Sequence, residues 1–233
     1  KEEYFTATGR CAVKTQTGLV LALKYHLSDN ERLTEQMLRK LLRDNKNKLN
    51  TGFVGTPLLC NVLTEHGMTD LAYRLLLNEE DPGWLHEVKL GATTVWERWN
   101  SLDENGRISS TGMNSLNHYS YGAVLEWIFR HVAGIDVTEQ GPGGKMMRIS
   151  PKVDHKLGSA SAVYDSASGC YRCGWQIENG DQITVTVTVP FGAKAQVILP
   201  YAPDSVYHDT DNPLFETVEN GICCVKAGQY TVT

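Results

Sequence analysis

A carboxylate stands between two tryptophans in the run Trp96-Glu97-Arg98-Trp99. The two indole rings would remove part of the water around Glu97, and the guanidinium of Arg98 would favour its ionised form. An ionised carboxylate within reach of water is what a general base requires. The alternative is an ordinary Glu–Arg ion pair on a solvated helix. The residue types therefore indicate Glu97 as a candidate catalytic base, with a surface ion pair as the competing interpretation.

Three tryptophans of the same region lie beside turn-forming or charged residues. Trp84 follows a Pro-Gly pair, and Trp96 and Trp99 flank the Glu-Arg pair. Indole rings stack on the apolar face of a sugar while polar groups hold its hydroxyls. The same rings could instead anchor loops against helices. A fourth tryptophan, Trp127, lies on an apolar stripe and is predicted to be in the core.

Asn117 and His118 form a second candidate group. His118 is predicted to begin a helix, and a helix N-terminus offers donors and partial positive charge to sugar hydroxyls. The alternative is a capping or loop histidine whose side chain is hydrogen-bonded to the backbone. The remaining histidines show no i, i+4 pair suited to a metal, and the sequence has neither a phosphate-binding glycine loop nor a Gly-x-Ser-x-Gly motif.

The six cysteines predict buried thiols and no metal site. Cys11 and Cys60 lie in apolar stretches and are expected to be buried. The pair Cys170 and Cys173 has the spacing of half a zinc site, but its only partner is the adjacent pair 223–224, whose side chains would point to opposite faces of a strand. We expect no metal and no other cofactor. The free thiols favour a reducing compartment, and hence the cytoplasm over secretion.

Charge and hydropathy exclude several function classes. The 233 residues carry 22 Lys+Arg and 27 Asp+Glu, for a net charge of −5. An acidic balance argues against a nucleic-acid partner or an anionic membrane surface. No apolar run approaches the roughly 20 residues that span a bilayer. The start at Lys1 without a Met indicates a processed or truncated product.

Residues 1–140 are predicted to be a helical domain, because apolar residues recur there at helical spacing. Ser28 and Glu31 have the spacing of a capping box that opens the second helix. Thr56 is predicted as the N-cap of the third helix, with a proline after it. A last long helix is expected to end at Gly134. Short connections predict that consecutive helices pack as antiparallel hairpins.

Residues 141–233 are predicted to be an antiparallel β-sandwich. Apolar and polar residues alternate without a break over 183–189, as in a half-buried strand. Further strands are expected near 195–199, 222–226 and 229–232, and glycine-rich turns separate the segments. Several short strands with regular turns are typical of a sandwich. The chain is thus a multidomain protein, α first and β second.

Four motifs together resemble the bacterial α-L-rhamnosidases of glycoside hydrolase family 78. They are residues 51–57 (TGFVGTP), 82–85 (PGWL), 91–99 (GATTVWERW) and 113–119 (MNSLNHY). The resemblance implies an (α/α)6 barrel followed by a β-sandwich, with Glu97 as general base and His118 in contact with the sugar. Gly83 and Asn100 depart from the Ser and Asp that are frequent in the family.

The resemblance implies an inverting hydrolase that removes terminal non-reducing α-L-rhamnose from glycosides or oligosaccharides. Residues 1–140 contain about half the helices of such a barrel, and the family's general acid lies in the other, upstream half. We therefore expect the C-terminal portion of a rhamnosidase, inactive alone. The uncovered helix faces predict a homodimer or self-association.

Three alternatives remain open at this stage. A carbohydrate-binding module would keep the aromatic rings and do no chemistry. Another inverting (α/α)6 glycosidase, of the trehalase or glucoamylase type, would share the fold, although the motifs around Glu97 and His118 disfavour it. A helical interaction scaffold would not be stabilised by any sugar.

Overall fold

The computed structural model describes residues 3–103, 105–109, 112–139, 141–180, 182–200, 215–219 and 222–233, the side chains of 215–219, 222 and 223 excepted. The chain divides into two compact units, Lys1–Leu125 and Glu126–Thr233. The first is helical and the second is built mainly from strands. The boundary predicted between residues 140 and 141 adjoins residue 140, which lies outside the described residues, and it stays a prediction. In the described part of the chain, no helix combines the length and the apolar character that crossing a membrane requires.

Up to residue 103, the described part of the first unit is built from α-helices joined by loops. They are α1 (Gln16–Lys24), α2 (Glu31–Asp44), α3 (Thr56–Glu65), α4 (Thr69–Leu76) and α5 (Trp84–Lys89). Helix α1 packs against α2 and α3, and α3 packs against α4. The core between them is built from leucines at helical spacing, including Leu19, Leu23, Leu38, Leu42, Leu59, Leu63 and Leu75. The predicted hairpin packing of the helices follows from these buried stripes.

The start of α2 differs from the prediction. The N-cap is Asn30, whose side-chain oxygen accepts a hydrogen bond from the backbone N–H of Leu33 at 3.0 Å. The predicted capping box at Ser28 is wrong, because that hydroxyl accepts from the N–H of Asn30 at 3.1 Å rather than from that of Glu31. It donates to the carbonyl of Gly9 at 3.0 Å and ties the N-terminal segment to the turn before α2.

The start of α3 lies one residue earlier than predicted. Gly55 is the N-cap and Thr56 is already the first helical residue. A Cβ on Gly55 would lie 2.4 Å from the hydroxyl oxygen of Thr17, so a side chain there would clash. The hydroxyl of Thr56 does not cap the helix; it forms a hydrogen bond of 2.8 Å with the hydroxyl of Thr51.

The predicted last long helix is wrong as a single α-helix. Residues Ser120–Ala123 form a 3₁₀ helix, Val124–Trp127 form α6, and Ile128–Val132 form a π-helix. The change is visible at its end, where the N–H of Ala133 donates to the carbonyl five residues back. Gly134 follows with a φ of +86°, which ends the segment near the predicted position. Trp127 is fully buried, as predicted.

In the residues that the structure describes, nine strands form the two sheets of the second unit. They are β1 (Ile135–Val137), β2 (Met146–Ile149), β3 (Ser159–Ser166), β4 (Gly169–Glu178), β5 (Gln182–Val189), β6 (Lys194–Val197), β7 (Phe215–Glu219), β8 (Ile222–Val225) and β9 (Gly228–Val232). The five-stranded sheet has the order β1-β2-β6-β8-β7, and the four-stranded sheet has the order β3-β4-β5-β9. All neighbours are antiparallel except β2 and β6, which are parallel.

The alternation predicted for β5 is confirmed, because Val185, Val187 and Val189 are buried. The strands expected near 195–199, 222–226 and 229–232 correspond to β6, β8 and β9. Tyr171 of β4 is fully buried, and its hydroxyl lies 2.8 Å from the carbonyl oxygen of Gly144 and 3.0 Å from that of Lys194. Gly144 lies just before β2 and Lys194 begins β6. This side chain of the four-stranded sheet therefore contacts the backbone of the five-stranded sheet.

Candidate active site

The candidate active site lies in the first unit, where two loops run side by side. The backbone N–H of His118 donates to the carbonyl of Val95 at 2.7 Å, and the N–H of Glu97 donates to the carbonyl of Ser115 at 2.9 Å. These two bonds join the loop that carries Glu97 to the loop that carries His118. The two principal candidates of the sequence are therefore brought together by the backbone.

A buried serine fixes the turn that follows Glu97. The hydroxyl of Ser101 accepts from the N–H of Arg98 at 3.2 Å and donates to the side-chain oxygen of Asn114 at 2.6 Å. The amide of Asn114 in turn donates to the carbonyl of Ser101 at 2.9 Å. Sequence reasoning missed both supporting residues, because a pair 13 positions apart in loops has no periodic signal.

Trp99 and Trp84 form an aromatic cluster with Tyr121. The ring of Trp99 stacks on that of Tyr121 with centroids 3.9 Å apart and planes 3° from parallel, and Trp84 meets Trp99 edge-on at 5.3 Å. The indole N–H of Trp84 donates to the carbonyl of Tyr121 at 3.0 Å, and that of Trp99 donates to the carbonyl of Thr51 at 3.2 Å. Both indoles are thus fixed by the backbone while one part of each stays exposed.

His118 lies before a helix rather than at its start. The 3₁₀ helix begins at Ser120, so the predicted helix start at His118 is wrong. The ring's Nδ1 accepts from the N–H of Ser120 at 3.3 Å, which places the proton of the neutral ring on Nε2. Phe53 and Tyr119 stack near the ring, with centroids 4.9 and 5.1 Å away. The histidine therefore has the capping bond named as the alternative, and its contact with a sugar stays a prediction.

The remaining predicted residues differ in exposure. Glu97 is half-buried and Asn117 is exposed, so both are open to solvent. Trp96 is only 3% exposed, which encloses its ring in protein. The structure thus leaves Trp84 and Trp99, rather than Trp96, with accessible aromatic surface. The roles of all these residues toward a sugar remain predictions.

Tyr121 joins the charged groups of the site. Its hydroxyl has a raised pKa, first because the side chain is buried and then because the carboxylates of Glu87 and Glu97 repel the phenolate, while Arg98 acts in the opposite direction. The three charged residues therefore lie close enough to Tyr121 to act on it. Sequence reasoning singled out Glu97 and Arg98 but missed Tyr121, which sits in an unremarkable Ser-Tyr-Gly run.

Glu87 is a buried carboxyl beside the predicted base. It lies on α5 and is 3% exposed, and its burial raises the pKa to about 7, against a lowering contribution from a hydrogen bond with the backbone N–H of Trp96. The sequence analysis did not single it out. A short helix with alternating charges gives no sign that one of them faces inward.

The prediction of buried thiols is confirmed for Cys11, Cys60 and Cys173 and is wrong for Cys170 and Cys224. Cys11 and Cys60 are buried, as predicted, and burial raises the pKa of the Cys60 and Cys173 thiols to about 12. Cys170 and Cys224 are partly exposed free thiols. Among the residues whose side chains the structure describes, no three His, Cys, Asp or Glu side chains cluster as metal ligands.

Two family models match the chain. Residues 1–132 match the bacterial alpha-L-rhamnosidase 6 hairpin glycosidase domain, and residues 134–212 match the bacterial alpha-L-rhamnosidase C-terminal domain. The chain belongs to the bacterial α-L-rhamnosidase family. This membership disfavours the trehalase-type and glucoamylase-type alternatives and the interaction scaffold.

Curated rhamnosidases are similar over nearly the whole chain. An alpha-L-rhamnosidase of Alteromonas sp. (strain LOR) is 39% identical over 221 residues, which are 93% of this chain and 23% of that protein. One of Streptomyces avermitilis is 35% identical over 228 residues, which are 97% of this chain and 22% of that protein. The chain thus spans less than a quarter of the length of these two rhamnosidases.

Solved rhamnosidase structures have the same fold. The Streptomyces avermitilis α-L-rhamnosidase complexed with L-rhamnose superposes with a TM-score of 0.85 at 33% identity, over 100% of this chain and 23% of that chain. The native enzyme of Aspergillus terreus gives 0.86 at 29% identity, over 99% of this chain and 25% of that chain. The predicted fold class is confirmed: a helical hairpin portion of the rhamnosidase barrel precedes the sheets.

Proposed function

We propose that this chain supplies the general base of an inverting α-L-rhamnosidase that releases terminal non-reducing α-L-rhamnose from glycosides and oligosaccharides. The observation that supports it best is the arrangement around Glu97. A half-buried carboxylate is held by the backbone beside the Trp84–Trp99–Tyr121 cluster, in a chain of the rhamnosidase family. That a similar enzyme was crystallised with L-rhamnose supports the choice of sugar.

The proposed chemistry needs two carboxyl groups on opposite sides of the glycosidic bond. In an inverting enzyme they stand about 6.5–9.5 Å apart, which leaves room for a water molecule. Glu97 takes a proton from that water, whose oxygen attacks the anomeric carbon. The bond from this carbon to the glycosidic oxygen breaks, and an acid protonates the departing oxygen. We propose that the acid comes from residues outside these 233, since the chain spans only 22–23% of similar rhamnosidases.

The aromatic and polar residues around Glu97 would bind the sugar. Rhamnose carries a methyl group where most hexoses carry a hydroxymethyl, so aromatic surface suits it. Trp84 and Trp99 offer this surface, while His118 with its Nε2 proton and the exposed Asn117 can bond to hydroxyls. Trp96, whose ring is enclosed, supports the loop from within.

Carbohydrate binding without catalysis is the second candidate. It is favoured by the fact that, of the two described carboxyl groups that act on Tyr121, only Glu97 is partly exposed, since Glu87 is buried. A binding site would keep the aromatic contacts and would not depend on Glu97 as a proton acceptor. Turnover therefore separates the two candidates.

The decisive test is Glu97→Gln in the protein as encoded by its gene, assayed with an aryl α-L-rhamnoside. We expect kcat to fall by about a thousand-fold or more with KM changed by less than about three-fold, because the variant loses a role confined to the transition state. Glu65→Gln is the matched control, since Glu65 forms a partly exposed ion pair with Lys24. A Glu97→Gln variant that keeps more than about a tenth of the wild-type kcat would show that another group is the base.

The stereochemistry is a separate test. Proton NMR of the first-formed product distinguishes the two outcomes before the free sugar equilibrates. Inversion predicts β-L-rhamnose from an α-L-rhamnoside, because water attacks opposite the leaving group. The α anomer as first product would show a retaining mechanism and would contradict the role assigned to Glu97.

A further inference from the structure

The second unit contains an open cavity at one edge of its two sheets. The cavity lies beside the π-helix and the strands β1 and β3, which are end strands in the sheet orders of the described residues. Its volume is about 690 Å³. Binding sites for small molecules typically have volumes of about 300–1,000 Å³. All the residues that line the cavity belong to the second unit, and the proposed function uses none of them.

Two side chains on the inner faces of the sheets are exposed at this cavity. Tyr164 of β3 stands opposite Tyr171 of β4 in the register, so the two rings lie on the same face of the sheet. Tyr171 is fully buried, whereas Tyr164 is 39% exposed. In the other sheet, Val137 stands opposite the buried Met147 and is 62% exposed. Apolar surface from the inner faces of both sheets is therefore open to solvent here.

The π-helix adds an aromatic ring and a charged cluster to the wall of the cavity. Phe129 and Arg130 are consecutive residues of this helix, and both line the cavity. Nε and Nη2 of Arg130 donate to the two carboxylate oxygens of Asp136 at 2.9 and 3.3 Å. Nη1 donates to Oε1 of Glu126 at 2.9 Å. One guanidinium thus orients two carboxylates, in a kind of helix that is frequent at functional sites.

The charges of this cluster favour an uncharged ligand that carries hydroxyl groups. The two carboxylates outnumber the guanidinium by one, so the wall repels anions, and a cation would compete with Arg130 for the same oxygens. Arg130 donates one bond to each of three carboxylate oxygens. Each oxygen of a carboxylate can accept about two hydrogen bonds. Acceptor positions therefore remain for hydroxyl donors.

A sugar ring has both of the surfaces that this cavity complements. Its C–H groups form an apolar face that stacks on aromatic rings, and Phe129 and Tyr164 supply such rings. Its hydroxyls can donate to the carboxylates of the wall. A 6-deoxyhexose also carries a methyl group, which suits the apolar surface that Ile135 and Met147 contribute to the cavity.

We propose that the second unit binds L-rhamnose, or a glycan that ends in it, in this cavity and holds the sugar without acting on it. The choice of rhamnose rests on the proposed function, whereas the choice of a neutral sugar ring rests on the cavity itself. A second site on the same protein raises the effective concentration of a substrate that carries several rhamnose residues. The cavity therefore retains substrate, while hydrolysis belongs to the residues around Glu97.

The first experiment locates the site on the 233-residue chain. Backbone amides are followed by ¹H–¹⁵N NMR with L-rhamnose up to about 100 mM, which saturates a site whose Kd is about 10 mM or tighter. We expect the amides of Val137 and Tyr164 to shift along one saturable curve. L-mannose, which has a hydroxymethyl in place of the methyl, should bind at least about five-fold more weakly, because its extra hydroxyl would meet apolar surface. The absence of shifts at both amides would overturn the proposal.

The second experiment removes one wall of the cavity. Phe129→Ala should raise the Kd for L-rhamnose at this site by about ten-fold, because the sugar loses a stacking surface. Phe191→Ala is the control, since this exposed phenylalanine of the second unit lies outside the cavity. If Phe129→Ala does not fold, Glu126→Gln decides, with an expected rise of about five-fold from the loss of a charged acceptor. Its control is Glu178→Gln at an exposed strand end. An unchanged Kd in the folded variant would contradict the proposal.

The third experiment uses the protein as encoded by its gene. Titration calorimetry with L-rhamnose should count one site fewer in Phe129→Ala, and kcat for an aryl α-L-rhamnoside should stay within about two-fold of the wild type. An equal site count would mean that the cavity takes no sugar there. A lower mass of Phe129→Ala by light scattering, with sugar binding unchanged, would mean that the cavity is an interface between copies. Either result would refute the proposal.

The two proposals fail in different ways. An active Glu97→Gln variant would refute the proposed function and would leave the shifts of Val137 and Tyr164 as they are. Loss of those shifts, with Glu97→Gln inactive, would refute only the sugar site of the second unit.

Discussion

The loops around Glu97 and the sheets of the second unit hold their side chains by different means. In the loops, single backbone bonds such as His118 to Val95 join neighbouring segments, and Ser101 with Asn114 fixes one turn. In the second unit, β4 lies between β3 and β5 in continuous antiparallel ladders. A ladder distributes its stability over many equivalent bonds. The loops depend on a few individual bonds, which leaves aromatic and charged side chains partly exposed for chemistry.

The largest contrast is expected in turnover. These 233 residues alone should not measurably hydrolyse an aryl α-L-rhamnoside, because hydrolysis needs two carboxyl groups and the described part of the site offers solvent only that of Glu97. The same preparation gives its mass by light scattering, where exposed apolar side chains of the helical unit predict self-association. A monomer with activity near that of the protein as encoded would contradict both expectations and would mean that these 233 residues contain the acid.

A smaller contrast concerns stability against pH. The folded state raises the pKa of Glu87 from 4.5 to about 7, so folding takes up a proton between these values. The neutral carboxyl contributes fully to the free energy of unfolding below about pH 4.5. This contribution, about 3 kcal/mol, is lost as the pH rises through 7. Glu87→Gln should therefore raise the melting temperature most above pH 7. An equal change at pH 5 and pH 8 would show that the carboxyl does not titrate in this way.

The histidine tests whether the loop pair binds sugar. His118→Ala should lower kcat/KM for a rhamnoside by about 5- to 150-fold, because a buried sugar hydroxyl loses a partner worth about 1–3 kcal/mol. His155→Ala, at an exposed position of the second unit, is the control. If rhamnose affinity and turnover are unchanged in His118→Ala, the residue acts only as the acceptor for the backbone N–H of Ser120.

The smallest expected effects compare one side chain from each region. Ser101→Ala and Tyr171→Phe each remove a buried hydroxyl that bridges two backbone or side-chain partners, at about 1–3 kcal/mol of unfolding free energy. Only Ser101→Ala should also lower kcat, because the turn after Glu97 would loosen. Urea denaturation and turnover measured on both variants check this. An equal kcat in the two variants would mean that loss of the Ser101 hydroxyl does not disturb the turn after Glu97.

The same difference explains which parts of the fold the sequence predicts. The alternation over 183–189 is a local pattern with period two, and it predicts β5 correctly. The starts of α2 and α3 were predicted at Ser28 and Thr56, and both predictions missed a contact with a distant residue. The hydroxyl of Ser28 bonds to the carbonyl of Gly9, and Thr17 lies too close to Gly55 for a side chain there. Such contacts connect positions far apart in the chain and leave no local signal.

The candidate site divides in a similar way. Glu97 and His118 were singled out from the residues around them, the motifs that contain them resemble a known family, and the backbone brings their loops together. Glu87 and Tyr121 were missed. Glu87 is a charged residue in a helix of six residues, and only the three-dimensional packing of that helix shows that its carboxyl is buried.

The aromatic cluster also has a spectroscopic consequence. Trp84 and Trp99 stand with their indole planes 89° apart at 5.3 Å, and Tyr121 lies parallel to Trp99 at 3.9 Å. Rings fixed this closely couple their ultraviolet transitions, so the chain carries an intrinsic chromophore at the place where the sugar is proposed to bind. Near-ultraviolet circular dichroism therefore contains a contribution from the packing of this cluster, without a label or a substrate.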